Sequence, residues 1–207
     1  PNKGKLKYMG IVLKRRDNSK ILKKIYGGIM DIILKEKDIL KSLLFLEDQL
    51  YNLVNGKYQL DDLILSKRLT EYKNPDRIAH KVLADRVNKR KNGNIYQEGD
   101  RIEYIFIEKY DFKLQGDRIE TKDYILENNL KPDYKYYIEN QLIKPIVDIY
   151  LLCYDQIQNS KNNQYWEDIK IKLKKKEIYK DETKLNNKIK NLKEKDIIEL
   201  LFNKYLI

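Results

Sequence analysis

A single cysteine, Cys153, denies this 207-residue sequence both an internal disulfide and a cysteine-rich zinc module. A reduced compartment is then the default expectation. The one histidine, His80, has no serine or cysteine partner in a recognisable motif, which removes a nucleophile–histidine triad. Glycine (8) and proline (4) are scarce, so the chain is neither collagen-like nor a linker. Gly27-Gly28 fall inside a helical pattern, without the G-x-x-x-x-G-K of a phosphate-cradling loop. No apolar run reaches the roughly 18 residues a membrane span needs. Metal-ligand spacing is missing too. Asp61-Asp62 are neighbours, and adjacent helical residues do not face one ligand; they suit a helix start. The beginning, "PNKGKLKYMG", has no Met and no apolar signal core, and reads as cut from something longer.

What is present is charge on a chain that can still bury a core: 42% hydrophobic and 36% charged residues, with a net charge of +11 and a pI near 9.3. That balance excludes wholesale disorder and suits a polyanion such as nucleic acid. Lysine, asparagine, isoleucine and tyrosine abound, as an AT-rich genome would produce, so part of the lysine content reflects codons and solubility.

Periodicity predicts a mostly α protein with a small β element. Tyr8 to Leu13 reads as a buried strand running straight into Lys14, Arg15, Arg16 and Asp17. Residues 19–36 place Ile21, Leu22, Ile25, Ile29, Ile32 and Ile33 on one helical face, with Asn18 or Ser19 as cap; close approach of another backbone would explain Gly27-Gly28. A second helix fits 37–54 and stops at Asn55-Gly56. "LDDLILSKRL" (60–69) fits a helix start or a short strand. Asn74-Pro75 opens a helix over 76–92, with Ile78, Val82, Leu83 and Val87 on one face and Lys81, Arg86, Lys89, Arg90 and Lys91 on the other. Residues 100–110 alternate as a strand, and "QGDRIE" (115–120) echoes "EGDRIE" (98–103), too briefly to count as a repeat. An apolar helix over 134–154 is kinked or restarted by Pro145. The stretch 155–207 reads as one or two exposed charged helices, ending in an apolar run that packs on the body or on a partner.

Five strings, "GIVLKRRDN" (10–18), "DLILSKRL" (62–69), "HKVLADRVNKR" (80–90), "GDRIEYIFI" (99–107) and "DYKYYIENQLIKPI" (133–146), together resemble the thumb region of family B DNA polymerases, in family order, and most resemble those of large cytoplasmic DNA viruses. The resemblance implies three segments: 1–17 as the end of a palm, 18–154 as a thumb, and 155–207 as a charged helical extension. The family's Asp-x-x-Ser-Leu-Tyr, Tyr-Gly-Asp-Thr-Asp and Lys-x-Tyr motifs are missing, so the Mg2+ ions expected on palm aspartates have no ligands here, and the segment alone is expected to be inactive.

The resemblance also implies partners: primer–template duplex DNA, the N-terminal polymerase portion, and a processivity factor meeting the C-terminal tail, with no membrane. The setting would be intracellular, in the cytoplasm or nucleus of a host if the chain is viral. Arg15 and Arg16 would meet the minor groove, whose acceptors every correct pair presents alike, and Asp17 would orient a guanidinium. Ser66, Lys67, Arg68, Lys81, Arg86, Lys89, Arg90 and Arg101 would follow the backbone, and His80 would lie near the primer strand. For each of these a solvated or core role is the plainer reading of the residue alone. For Tyr137, Asn140 and Gln141, packing is favoured, and for "KIKLKKKE" (170–177) a solvated helix. Apart from the resemblance, a free-standing basic helical protein that binds nucleic acid or serves a structural role also fits.

Overall fold

The computed structural model describes residues 12–206 and divides into two compact units, 1–24 with 55–137 and 25–54 with 138–207. The chain crosses between them at 24/25, 54/55 and 137/138, so the compact units run across the expected segment boundary at 154/155. The architecture is mostly helical with one small antiparallel sheet, an α+β fold. Of the strand expected over residues 8–13, residues 8–11 lie outside the described residues, and Val12 and Leu13 are not strand but part of a single 3-10 turn, Val12–Lys14.

Helix α1 (Lys20–Asp31) buries Ile21, Leu22, Ile25 and Ile29, the face its periodicity marks. Ser19, fully buried, is its cap; the hydroxyl accepts from the Leu22 N–H at 3.4 Å. The helix loosens into a π-turn at Ile32–Glu36, and Lys37 ends it in the left-handed region at φ 57°.

In the first unit, α3 (Leu60–Leu63) leads directly into strand β1 (Leu65–Arg68), so the ambiguous segment does both things it is suited for. Asp61 and Asp62 stand in its first turn and pair with Lys122 at 2.7 Å and Lys24 at 2.6 Å. Pro75–Arg77 form a separate 3-10 turn, because the Ile78 N–H bonds back to the Pro75 carbonyl at 3.0 Å. Ile78 is extended, and α4 (Ala79–Arg90) starts three residues later than expected from 76.

Strand β2 (Arg101–Phe106) is central, flanked by β1 and by β3 (Ile119–Glu120), both antiparallel. The register sets Ser66 opposite Glu103, Lys67 opposite Ile102 and Arg68 opposite Arg101. Ile102 and Tyr104 alternate with exposed residues, whereas Ile105 and Phe106, on opposite faces of the strand, are both buried, and α4 and α5 both contact β2. Helix α5 (Lys122–Glu127) is capped by the Thr121 hydroxyl. In α6 (Tyr134–Tyr137), the buried Tyr137 hydroxyl accepts the Phe106 N–H at 3.1 Å, as its expected packing role requires.

In the second unit, α2 (Ile39–Val54) is capped by Asp38, which accepts the Lys41 N–H at 2.8 Å. At Gly28 a Cβ would lie 2.4 Å from the Phe45 ring, so a side chain, not the expected backbone, requires this glycine. Helix α7 (Ile143–Leu152) contains Pro145, and the turn before it, Ile138–Leu142, is a π-turn. That turn absorbs the missing proline N–H and the ring's clash with the carbonyl four residues back.

The charged stretch forms two capped helices, α8 (Asn163–Lys174) and α9 (Glu182–Leu201), with Asn162 and Asp181 as caps. It is not merely exposed: Trp166, Leu185, Ile189, Ile197 and Phe202 are buried, each contributing about 1.5–3 kcal/mol of apolar burial. The apolar end packs back, with the Tyr205 hydroxyl donating to the Glu47 carbonyl of α2 at 3.1 Å.

Candidate nucleic-acid interface

Two groups of basic side chains occupy the first unit, and they differ in what surrounds them. The first lies at the end of the β1–β2 pair. Arg15 donates to both oxygens of Asp17, from Nε at 3.1 Å and Nη2 at 2.9 Å, and Lys67 donates to the same carboxylate at 2.9 Å. These bonds, Arg15's first, hold the Asp17 carboxyl well below the ordinary carboxylate range. Arg101 reaches across to β1 and donates to the Ser66 hydroxyl at 3.0 Å and its carbonyl at 3.1 Å; Arg68 donates to the Gly99 carbonyl at 3.1 Å. Neither makes a salt bridge among the described residues, and nor does the exposed Arg16. Asp17 is therefore the only described carboxylate in salt-bridge range of any of these five cations. Arg68 and Arg101 also face each other directly across the strands, an arrangement that is repulsive in itself.

Next to this end, the Tyr72 hydroxyl donates to the Arg68 carbonyl at 3.0 Å and lies 2.7 Å from His80 Nε2. With the hydroxyl proton already given, the ring supplies the proton of the second bond. Burial holds His80 below its ordinary pKa, with Lys67 acting in the same direction.

The second group was expected to line the polar face of α4, and here the structure corrects the sequence reading. Arg86 turns inward. It donates to Glu120 Oε1 at 2.7 Å, to the Ile119 carbonyl at 3.1 Å and to the Gly116 carbonyl. Arg90 grips the same carboxylate with two bonds, at 2.9 and 2.8 Å, while its guanidinium lies 3.6 Å from the centre of the Tyr124 ring. Glu120 is 4% exposed, and an uncompensated carboxylate there would be costly, so the two arginines are drawn to it. Lys81 pairs with Asp85 one turn on, and the exposed Lys89 makes no salt bridge among the described residues.

The sequence reading passed over Glu120 and Arg118. Arg118 pairs with Asp133, which also accepts the Tyr136 N–H at 2.8 Å, and its guanidinium lies 4.5 Å from the Phe112 ring and 5.5 Å from that of Tyr136. The echo of "EGDRIE" in "QGDRIE" was the available signal: the second copy carries both residues.

Among the described residues, no group of three or more His, Cys, Asp and Glu side chains is placed to hold a metal ion. The magnesium that the resemblance puts on palm aspartates has no ligand set among the described residues. No described helix is long and apolar enough to cross a membrane.

A family model for DNA polymerase family B matches residues 1–153. The DNA polymerase of Pyramimonas orientalis virus is 46% identical over 211 residues, covering 100% of this chain and 17% of that protein. The DNA polymerase of Acanthamoeba polyphaga mimivirus is 49% identical over 162 residues, covering 75% of this chain and 9% of that protein. The DNA polymerase delta catalytic subunit of Candida albicans is 32% identical over 151 residues, covering 71% and 14%. The solved family B DNA polymerase of the archaeon Pyrobaculum calidifontis shares the fold, with a TM-score of 0.54 at 23% identity, over 70% of this chain and 19% of that one. The chain belongs to DNA polymerase family B. It spans less than a fifth of the length of these relatives.

Proposed function

We propose that this chain is the thumb-side portion of a viral DNA-directed DNA polymerase and that it grips primer–template duplex during DNA replication. In this reading residues 1–17 close the palm, 18–154 form the thumb and draw on both compact units, and 155–207 are an extension. The chain contributes affinity and alignment of the duplex, while the metal-bearing palm of the same polymerase forms the bond.

The observation that carries the reading is the end of the β1–β2 pair. Arg16, Arg68 and Arg101 lack a salt bridge among the described residues, and two of them oppose each other across the strands. A phosphate backbone supplies the negative charge that this pairing lacks. Arg15, fixed by Asp17, and Arg16 present donors for the sequence-blind acceptors of the minor groove. Lys81 and Lys89 extend the cationic surface along α4, and His80 and Ser66 hold the strand end in place. Arg86 and Arg90 act from beneath, by fixing α4 to β3 through Glu120.

The test is binding of the 207-residue chain to a labelled primed template at several salt concentrations. Affinity should be indifferent to sequence and fall steeply with salt. Affinity independent of salt would defeat the proposal.

A further inference from the structure

The charge of the second unit is unevenly placed. Residues 170–190 hold nine lysines and three acidic residues, a net +6 of the chain's +11. This stretch lies outside the residues matched by the family model, which end at 153. In sequence it reads as a solvated helix, but the fold changes that by pairing α8 with α9 as an antiparallel hairpin. Lys174 meets Glu182 at 2.8 Å at one end, and Lys193 lies 5.7 Å from the Trp166 ring at the other.

Buried Leu185 and Ile189 fix the rotation of α9, and buried Trp166 fixes that of α8. At about 100° per residue, the Lys174–Glu182 pair occupies one flank of the hairpin. Lys184, Lys188 and Lys195 fall on the other, spaced four and seven residues apart, and Lys172 of α8 stands on the same side. None of these four makes a salt bridge among the described residues. The two carboxylates nearest in sequence to Lys184 are both engaged elsewhere: Glu182 pairs with Lys174, and Asp181 caps α9 through the Thr183 and Lys184 N–H groups. One flank is thus neutralised and the other left cationic, on a platform made rigid by packed aromatic and aliphatic side chains. From Lys184 to Lys195 is eleven residues, about 17 Å of helix. Each strand of a duplex sets a phosphate about every 3.4 Å of helix axis, so a flank laid along that axis spans about five of them.

We infer that the Lys172–Lys184–Lys188–Lys195 flank of the α8–α9 hairpin is a second duplex-DNA contact, made to phosphates alone and separate from the β1–β2 end. It rests on the duplex-gripping reading above and adds a surface that the family match does not reach.

The experiment uses the 207-residue chain and a labelled 30-base-pair duplex, measured by anisotropy between 50 and 300 mM salt. Three variants are compared with wild type: Lys→Gln at all four lysines, Lys→Arg at the same four, and R16Q/R68Q/R101Q. Circular dichroism first confirms unchanged helix content, which is expected because the buried faces are untouched. The glutamine variant should flatten the slope of log affinity against log salt by about 3 to 4, near 0.9 per lost contact, and the arginine variant should restore it. An unchanged slope in the glutamine variant overturns the flank. If R16Q/R68Q/R101Q still loses slope in that case, the thumb reading survives on its own. If only the lysine variant loses slope, the flank stands and the β1–β2 assignment fails. Loss of heparin binding with duplex binding intact would assign the flank to another polyanion and also overturn the proposal.

Discussion

The two Gly-Asp-Arg-Ile-Glu runs, 99–103 and 116–120, meet opposite fates. In both, the isoleucine is fully buried and the run leads into a strand. In the first, the arginine and glutamate stay exposed, and Arg101 spans to Ser66 at the open, cationic end of the sheet. In the second, the glutamate is buried beneath two arginines of α4, and Arg118 sits among aromatic rings against Asp133. The same five residues make a surface in one place and a fastening in the other. The difference lies in the neighbours of the polar side chains: Arg101 and Glu103 stand opposite Arg68 and Ser66 of β1, whereas α4 packs against the second run and brings Arg86 and Arg90 to Glu120.

The carboxylates separate the two runs most sharply. Glu120→Gln leaves two partly buried guanidiniums without their anion and should lower unfolding free energy by about 3 kcal/mol. Glu103→Gln, on the exposed side of β2, should stay within about 0.5 kcal/mol of wild type. Urea denaturation of both variants measures the gap. Equal effects would mean that the Glu120 cluster is not the fastening described.

The glycines separate them next. A Cβ at Gly116 would lie 2.8 Å from the Val82 Cβ, so Gly116→Ala should cost about 1–3 kcal/mol in wild type and much less in a Val82→Gly background, which removes that carbon. A Cβ at Gly99 would meet only Arg68 Nη2, at an ordinary 3.7 Å, but φ is +94°, so Gly99→Ala should cost about 1–2 kcal/mol with no rescuing partner. Rescue of Gly99→Ala by a neighbouring truncation, or failure of Val82→Gly to reduce the cost of Gly116→Ala, would blur the contrast between backbone strain and lack of space.

The arginines give the functional contrast. Arg101→Gln should leave stability nearly unchanged and reduce the salt slope of duplex binding by about 0.9. Arg118→Gln should lower the melting temperature and leave that slope intact, because its guanidinium is already held by Asp133 and aromatic rings. Anisotropy titrations on the folded proteins decide it, and a slope change in Arg118→Gln would move the interface to the second run.

This contrast shows what was legible in the sequence and what was not. Helices α1, α2 and α7 were readable because apolar spacing, caps and Pro145 act within a few residues of one another. Strand β2 was readable from alternation. Periodicity sets Arg86 on the polar face, where the resemblance has it follow the DNA backbone, but its place depends on Glu120, 34 residues away, and on the Gly116 carbonyl that the fold brings beneath it. Within α4 itself, the spacing of Lys81, Arg86, Lys89 and Arg90 describes one charged face, and only the packing against β3 divides it. The same holds for α8 and α9: each is a charged helix alone, and their pairing buries Trp166 and Leu185. Of the candidate interface, Arg16, Lys67, Arg68 and Arg101 were legible as basic residues, but that Asp17 serves Lys67 and Arg15 while the other three have no salt bridge among the described residues is a tertiary fact.

The smallest expected effect tests that counter-charge. Asp17 plays toward Arg15 and Lys67 the part Glu120 plays toward Arg86 and Arg90, but near solvent, where ion pairs contribute little. Its folded pKa lies below the ordinary 3.8, so the native state binds fewer protons than the unfolded one in that range. The stabilisation is therefore complete above pH 3.8 and is lost as pH falls below it through the folded value. Asp17→Asn should melt at most about 2 °C below wild type at pH 6. The two curves should converge on titration from pH 4 downward, as wild-type Asp17 itself becomes neutral. His80 adds a separate acid loss shared by both proteins: burial lowers its pKa, so its neutral form stabilises the fold above about 6.5 and that contribution fades as pH falls. Subtracting the variant from wild type cancels the histidine and isolates the carboxylate. A difference that stays constant from pH 6 to pH 2 would show that Asp17 contributes through shape and not through charge, and the open end of the sheet would then hold its five cations with no working anion at all.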